Sequence, residues 1–280
     1  MKARVAENRK GIYTETTEDA ECTEKRSGAT MRSYCVGKGR VIASAQDAAA
    51  LGEWLRLRGP DTVIAELLRI NPEKPEQDLL RYAAEKLTRG CVVAIPTDTL
   101  YGLAADPFNL AAVDEIYRVK GRPEARALPI LVNSVDMASL MALDVPRNFH
   151  RLAETFWPGP LTIVVDASHQ VPLKVTANTK RVALRWPKNE VVTRLIREFG
   201  GPVTGTSANL SGHPSCSTAE EVMKQLGKRV PLVLDTGDTK ASLPSTIIEL
   251  HGREWKIGRE GAITEAEIDD ALGGEGALAR

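Results

Sequence analysis

Four cationic and five small polar residues have the types and spacing to bind a charged substrate. They stand at predicted strand ends or in loops: Lys120, Arg122, Arg185, Arg259, Thr97, Thr99, Ser207, Asn209 and Ser245. Arginine binds phosphates and carboxylates through two parallel N–H groups, and lysine supplies a mobile point charge. Together with backbone N–H groups, this set can hold a triphosphate and a carboxylate.

Two of these features also have a purely structural interpretation, and both interpretations remain open from the residues alone. Lys120 and Arg122 follow a predicted helix, where two solvated cations would complement the negative end of the helix dipole. The sequence TGTSANLSG at 204–212 can cradle an anion. It can equally be a tight loop that needs Gly and Asn for unusual backbone angles.

The stretch from Cys91 to Leu131 contains the elements that must position this set. Five apolar or small residues, Cys91 to Ile95, lie between Gly90 and Pro96, which predicts a strand buried on both faces. Thr97, Asp98, Thr99 and Tyr101 follow on the loop at its carboxyl end, where ligands bind in open α/β sheets. A helix with three-and-four apolar spacing then begins after Asn109, a predicted N-cap, and ends at Lys120.

Further apolar runs alternate with helical patterns along the rest of the chain. Strands are predicted at 128–133, 161–167 and 181–187, and Ser134 is a predicted N-cap for a helix. The runs 245–250 and 254–257 are spaced as hairpin partners. We therefore predict an α/β fold with a twisted, open, mixed sheet and helices on its faces.

Composition and common motifs exclude several function classes. Among 280 residues, Lys and Arg total 37 and so do Asp and Glu, so a basic surface must be local; the candidate is Lys174, Lys180 and Arg181. No run reaches the roughly 20 apolar residues of a membrane span. No GxGxxG, GxxxxGK[ST] or HExxH motif is present. The four cysteines show no metal-ligand or disulfide spacing, which fits a reducing, cytoplasmic location.

The chain divides into three predicted regions. Residues 1–45 are polar and mixed in charge, and we predict a disordered leader there. Residues 46–75 form an extension to which the sequence assigns no role. The alternating strands and helices occupy 76–275, the predicted main domain.

Seven ordered motifs within about residues 75–272 resemble the YrdC-like (TsaC-type) L-threonylcarbamoyladenylate synthases: IPTDTLYGLAADP, KGRPEARALPILV, WPGPLTIVV, VALRWP, TGTSANLSG, PSTIIEL and IGREGAI. The resemblance implies a twisted open sheet that encloses a concave, positively charged cavity. It also implies a reaction, in which L-threonine, bicarbonate and ATP give threonylcarbamoyl-AMP and pyrophosphate. The product would serve N6-threonylcarbamoyladenosine formation in tRNA.

The resemblance also implies site residues. Lys120 and Arg122 match the signature Lys-x-Arg and would be catalytic. The ATP site would contain Lys120, Arg122, Arg126, Ser207, Asn209 and Arg259. The threonine site would contain Thr99, Arg185, the backbone around Gly205, and Ser245. Magnesium would accompany ATP, and neither an organic cofactor nor a side-chain nucleophile is expected.

The sequence departs from the family pattern in two places. Leu131 stands where some relatives have a His close to threonine. The chain ends soon after the synthase motifs, so it resembles the form without a second domain. The partners considered are an enzyme that takes the product and tRNA or double-stranded RNA, and the sequence leaves direct RNA binding open; no membrane is expected.

Two other classes of function are alternatives to the synthase. One is a binding module for double-stranded RNA or tRNA that has lost catalysis, and the other is a carbamoyl-transfer module like those in hydrogenase-maturation proteins. Lys120, Arg122, Ser207 and Asn209 favour the enzyme, because an RNA-binding module needs diffuse charge rather than this set. The acylphosphatase-like and zinc-finger segments that accompany the transfer modules are missing from this sequence.

Overall fold

The computed structural model describes residues 65–121, 126–239 and 243–274 with side chains, and the backbone of five strands within 5–42. The helices of these parts are α1 Gln77–Thr88, α2 Leu110–Lys120, α3 Val135–Met141, α4 Arg147–Phe156, α5 Glu190–Phe199, α6 Ala219–Leu226 and α7 Glu265–Leu272. The strands are β1 Val5–Asn8, β2 Gly11–Glu15, β3 Ala20–Arg26, β4 Ala29–Val36, β5 Gly39–Ile42, β6 Glu66–Arg69, β7 Val93–Ile95, β8 Gly102–Ala104, β9 Ile130–Leu131, β10 Leu161–Asp166, β11 Arg181–Arg185, β12 Val203–Thr204, β13 Thr206–Ser207, β14 Leu232–Asp235, β15 Thr246–His251 and β16 Glu254–Arg259.

The strands form two mixed sheets. The first has the order β1-β2-β3-β4-β5-β6-β14-β7-β8-β13, and the second has the order β12-β9-β11-β10-β15-β16. The predicted α/β fold with mixed strand directions and helices is confirmed, although its strands are divided between two sheets. The predicted hairpin is present as the antiparallel pair β15 and β16.

The N-terminal strands lie in the region predicted as a disordered leader. Strands β1 to β5 form an antiparallel ladder, and β5 pairs in parallel with β6. Their sequences contain Thr, Val, Tyr and Ile, which favour extended backbone, but they are too polar to give a periodic apolar pattern. The division into 1–45, 46–75 and 76–275 stays a prediction, and 46–64 lies outside the described residues.

Strand β7 is buried on both faces, which explains why an unbroken apolar run marks it in the sequence. Val92 and Ala94 belong to one buried apolar cluster, whereas Val93 and Ile95 belong to a second cluster on the opposite face. The sequence predicts burial on both faces, and all four residues are fully buried. Burial of each of the Val and Ile side chains contributes roughly 1.5–3 kcal/mol to folding, so this strand is a main support of the fold.

Local capping sets the limits of the helices near the site. The Asn109 side chain accepts hydrogen bonds from the N–H groups of Ala111 and Ala112 at the start of α2, as predicted. Gly121 ends α2 with φ +58, a left-handed conformation that glycine adopts without strain. The helix therefore stops at Lys120.

A buried carboxylate ties α1 to the first sheet. Glu66 on β6 is 2% exposed; it accepts a hydrogen bond from the Tyr82 hydroxyl and pairs with Lys86 Nζ at 3.3 Å. Burial raises the pKa of Tyr82, and the bond to Glu66 raises it further. This cluster is structural, because none of its members lines the cavity described below.

Within the described residues, no helix has both the length and the apolar character that crossing a bilayer requires.

Candidate active site

A cavity of about 340 Å³ contains nine of the ten predicted site residues. They are Lys120, Arg126, Ser207, Asn209, Arg259, Thr99, Arg185, Gly205 and Ser245. The tenth, Arg122, lies outside the described residues. Of the described residues that line the cavity, four are cationic and none is Asp or Glu. The roles assigned to these residues stay predictions.

Lys120 forms the first group with the turn that follows β13. Its ammonium group donates to the Ser207 carbonyl, to the Asn209 carbonyl at 3.0 Å and to Asn209 Oδ1 at 3.3 Å. Ser207 Oγ donates to Asn209 Oδ1 at 2.5 Å, and the Asn209 amide nitrogen donates to the His213 carbonyl at 2.7 Å. The end of α2 and residues 207–213 are thus fixed to each other, with a 4% exposed Lys120 between them.

Arg185 forms the second group at the carboxyl end of β11. Its guanidinium donates from Nη2 to Asp98 Oδ1 at 2.6 Å, from Nη1 to Thr99 Oγ1 at 3.0 Å and from Nε to the Gly159 carbonyl at 3.2 Å. Burial lowers the pKa of Arg185, and the Asp98 carboxylate counteracts this effect. A guanidinium carries five N–H groups, so two are not engaged by the described residues and can bind a ligand.

Arg259 and Ser245 form the third group. Nη2 of Arg259 donates to the Ser245 carbonyl at 2.6 Å and to Ser245 Oγ at 3.0 Å, and Ser245 Oγ lies 2.9 Å from Thr162 Oγ1. Ser245 and Thr162 are 6% and 3% exposed. This group places one guanidinium and two hydroxyls on one wall of the cavity.

Arg126 differs from the other three cations because it is exposed and its guanidinium has no hydrogen bond or ion pair with any described residue. It lies on the segment that leads into β9, and it lines the cavity. An arginine in this state can move to meet an anion at little cost, because no protein contact has to break.

Several contributors were not predicted as site residues. The sequence predicts only that Asp98 lies on the loop after β7, because its partner Arg185 is 87 positions away. Thr162 lies within an apolar strand and carries no sequence signal. Tyr101 lines the cavity, donates to the Gly237 carbonyl at 2.9 Å, and has its pKa raised to about 12 by burial. It therefore stays a neutral phenol at neutral pH.

The predicted basic patch carries less net charge than its sequence indicates. Lys174 pairs with Asp114, and Arg181 pairs with Asp166 at 2.9 Å while donating to the Leu250 carbonyl at 2.6 Å. Only Lys180 of the three has no carboxylate partner among the described residues.

Gly205 is the point where one continuous segment passes from the second sheet to the first. Strand β12 pairs with β9 in the second sheet, and β13 pairs with β8 in the first. Gly205 lies between them and donates its N–H to the Pro129 carbonyl at 2.8 Å. A Cβ at this position would lie 2.4 Å from Leu131 Cγ. The crossover therefore needs a glycine for space.

We expect Gly205→Ala to lower the free energy of unfolding by about 1–3 kcal/mol, the usual cost of overpacking a core. Leu131 is 2% exposed and cannot move aside freely. Urea denaturation measures the effect. Gly201→Ala is the control, because its Cβ would meet Phe199 at an ordinary 3.7 Å. A smaller loss of stability for Gly205→Ala in the Leu131→Ala background than in the wild type would identify the clash as the cause; equal stability of Gly205→Ala and wild type would contradict it.

The described residues contain no group of three or more His, Cys, Asp or Glu that could hold a metal ion. The donors facing the cavity are hydroxyls, amides and cations. This set suits the oxygen atoms of an anionic substrate better than a bare cation.

Comparison with known proteins places this arrangement in a family. The profile of the Sua5/YciO/YrdC family, described as telomere recombination, matches residues 85–261. The chain belongs to this family. The Sua5/YciO/YrdC match includes all three cation groups described above.

Among curated relatives, the threonylcarbamoyl-AMP synthase of Pyrococcus abyssi (strain GE5 / Orsay) is 36% identical over 203 residues, 72% of this chain and 59% of the relative. That of Bacillus subtilis (strain 168) is 37% identical over 194 residues, 68% of this chain and 56% of the relative. The chain thus spans less than three-fifths of the length of these two relatives. The crystal structure of P. abyssi Sua5 complexed with L-threonine superposes with a TM-score of 0.72 at 33% identity, covering 76% of this chain and 62% of that one.

Proposed function

We propose that this protein is an L-threonylcarbamoyladenylate synthase that converts L-threonine, bicarbonate and ATP into threonylcarbamoyl-AMP and pyrophosphate. The observation that carries the proposal is the cavity, which gathers four cations and several buried hydroxyls but, among the described residues that line it, no carboxylate. Two further facts support it: relatives of this family are named threonylcarbamoyl-AMP synthases, and a structural neighbour was solved with L-threonine.

The reaction has two steps. The amine nitrogen of threonine bonds to the carbon of bicarbonate, water leaves, and a carbamate results. A carbamate oxygen then attacks the α-phosphorus of ATP, the bond to the β-phosphate breaks, and pyrophosphate leaves. Both partners of the second step are anions, so their approach needs cations on the protein. Positioning and electrostatic stabilisation then supply most of the rate, as in other phosphoryl-group chemistry.

The three groups have distinct tasks in this proposal. Arg185 binds the threonine carboxylate with its two remaining N–H groups, while Asp98 and Thr99 hold the guanidinium in place. Lys120, Ser207 and Asn209 face the phosphates, together with Arg126 and Arg259. Arg122, which lies outside the described residues, is proposed to bind the phosphates as well. Ser245 beside Arg259 binds the threonine. Their summed charge makes the cavity positive.

Magnesium enters this scheme as part of the ATP substrate. The residues facing the cavity offer hydroxyl and amide oxygens but no carboxylate group that would hold a metal alone. We propose that the ion binds through the phosphates and neutralises charge on the leaving pyrophosphate. We propose that the protein acts in the cytoplasm, where a transfer enzyme receives the unstable adenylate for tRNA modification.

The test is pyrophosphate release from ATP by the purified protein, measured with and without L-threonine and with and without bicarbonate. Release that requires both supports the synthase. Release that ignores threonine contradicts it. No release, combined with tight and salt-sensitive binding of tRNA or double-stranded RNA, would favour the RNA-binding module instead.

A further inference from the structure

The hydroxyl of Tyr117 contacts two separate segments, the one that leads into β9 and the loop between β10 and β11. It is 3.0 Å from the Arg126 carbonyl and 3.2 Å from the Lys174 carbonyl, and the residue is 4% exposed. A phenol has one proton to donate, so the two carbonyls share it. One side chain on α2 therefore joins the cavity rim at Arg126 to the loop between β10 and β11.

Two more contacts fix the same loop. Lys174 pairs with Asp114, which lies one helical turn before Tyr117 on α2. The Leu128 N–H donates to the Val175 carbonyl at 2.8 Å, and both residues are buried. The loop between β10 and β11 is thus attached to α2 on one side and to the rim segment 126–129 on the other.

Three non-glycine residues of this loop have backbone conformations that need support from neighbouring contacts. Ala177, Asn178 and Lys180 have φ of +49, +62 and +56, values that non-glycine residues adopt at a cost. Strained residues persist only where surrounding contacts over-determine them. The bonds to Tyr117, Asp114 and Leu128 fix Lys174 and Val175 before the strained residues, and the Ala167 N–H donates to the Lys180 carbonyl at 2.8 Å after them.

We propose that Tyr117 is a positioning residue, which ties the rim segment 126–129 to the loop between β10 and β11 and so places Arg126 for the phosphates. The part of this proposal that concerns phosphates rests on the proposed function. The part that concerns the rim does not. The Arg126 guanidinium has no hydrogen bond or ion pair with any described residue, so the region that it can reach is set by the position of its backbone, which Tyr117 holds through the Arg126 carbonyl.

The test compares Tyr117→Phe with Tyr82→Phe. Both remove a hydroxyl that donates to a protein oxygen, but Tyr82 donates to Glu66 away from the cavity. We expect Tyr117→Phe to speed exchange of the Leu128 amide, followed by NMR, by about fivefold, the size of one lost hydrogen bond. In Tyr82→Phe this amide should exchange at the wild-type rate. Unchanged exchange in Tyr117→Phe would overturn the proposal whether or not the protein makes the adenylate.

Measurements of KM for ATP and of kcat distinguish a positioning role of Tyr117 from a role in stability alone. In Tyr117→Phe, KM for ATP should rise about fivefold with kcat nearly unchanged, because one hydrogen bond that orders the binding site is lost. In the Arg126→Ala background, Tyr117→Phe should add no further rise, because the two act through the same group. Additive rises would contradict the link to Arg126. A wild type without pyrophosphate release would reject the proposed function and leave the amide exchange as the test of the rim.

Discussion

Replacing Lys120 by Met is expected to reduce threonine-dependent pyrophosphate release by about 10²- to 10³-fold, the usual loss on removing one preorganised group that stabilises a developing charge. Lys120 is buried at the end of α2 and reaches the turn Ser207–Asn209. Met keeps the apolar stem and removes the ammonium group. The loss should fall on kcat, because in the proposed reaction the cation acts on charge that builds up as pyrophosphate leaves.

The structure adds a second consequence of this substitution. The Lys120 ammonium donates to the Ser207 carbonyl and to two oxygens of Asn209, which lose that donor in the variant. Buried acceptors without partners cost about 1–3 kcal/mol, so the variant should fold with a lower unfolding temperature. Lys86→Met is the matched control, because it breaks a part-buried pair with Glu66 at 3.3 Å outside the cavity. Wild-type turnover in Lys120→Met would reject the proposed role, and equal loss of turnover in Lys86→Met would attribute the effect to stability.

Replacing Arg185 by Lys is expected to raise KM for threonine by about 10- to 100-fold, the cost of one charge-assisted hydrogen bond, with a smaller effect on KM for ATP. Lysine keeps the charge but lacks the planar fork that binds both carboxylate oxygens. Arg185→Ala is a poorer probe, because it also leaves the partly buried Asp98 carboxylate without its cationic partner.

Arg181→Lys provides the control for this prediction. Arg181 begins the same strand that Arg185 ends, pairs with Asp166 and does not line the cavity. It should lower stability without changing KM for threonine. Steady-state kinetics with each substrate varied in turn distinguishes the cases. Equal rises in both KM values for Arg185→Lys would place Arg185 outside the threonine site.

Local patterns predicted the features that depend on local physics. The Asn109 and Ser134 caps follow from short side chains that accept the first helical N–H groups, and both are confirmed. Strand β7 was recognisable because burial on both faces requires an unbroken apolar run. The grouping of site residues was predicted through the ordered family motifs, since no periodicity indicates that Lys120 lies beside Asn209 across 89 positions.

Features that depend on distant contacts were not predictable in this way. The pairing of Asp98 with Arg185 and the hydroxyl contact of Thr162 with Ser245 join segments far apart in sequence. The division into two sheets occurs within residues 203–207, which read as a short strand entering a polar loop. The N-terminal strands β1 to β5 carry too few apolar residues for their pairing to be seen as a pattern.

The crossover at Gly205 also bears on how the protein unfolds. Residues 203–204 pair in the second sheet, residues 206–207 pair in the first, and Gly205, Thr206 and Ser207 line the cavity, so neither sheet can open there without disturbing the cavity. A ligand that binds only the closed form adds stability that grows with its concentration, about 2.7 kcal/mol at a hundred times its dissociation constant. Because the cavity is lined from both sheets, ligand binding stabilises both of them. In the proposed function, substrate binding therefore makes the two sheets unfold together as one cooperative unit.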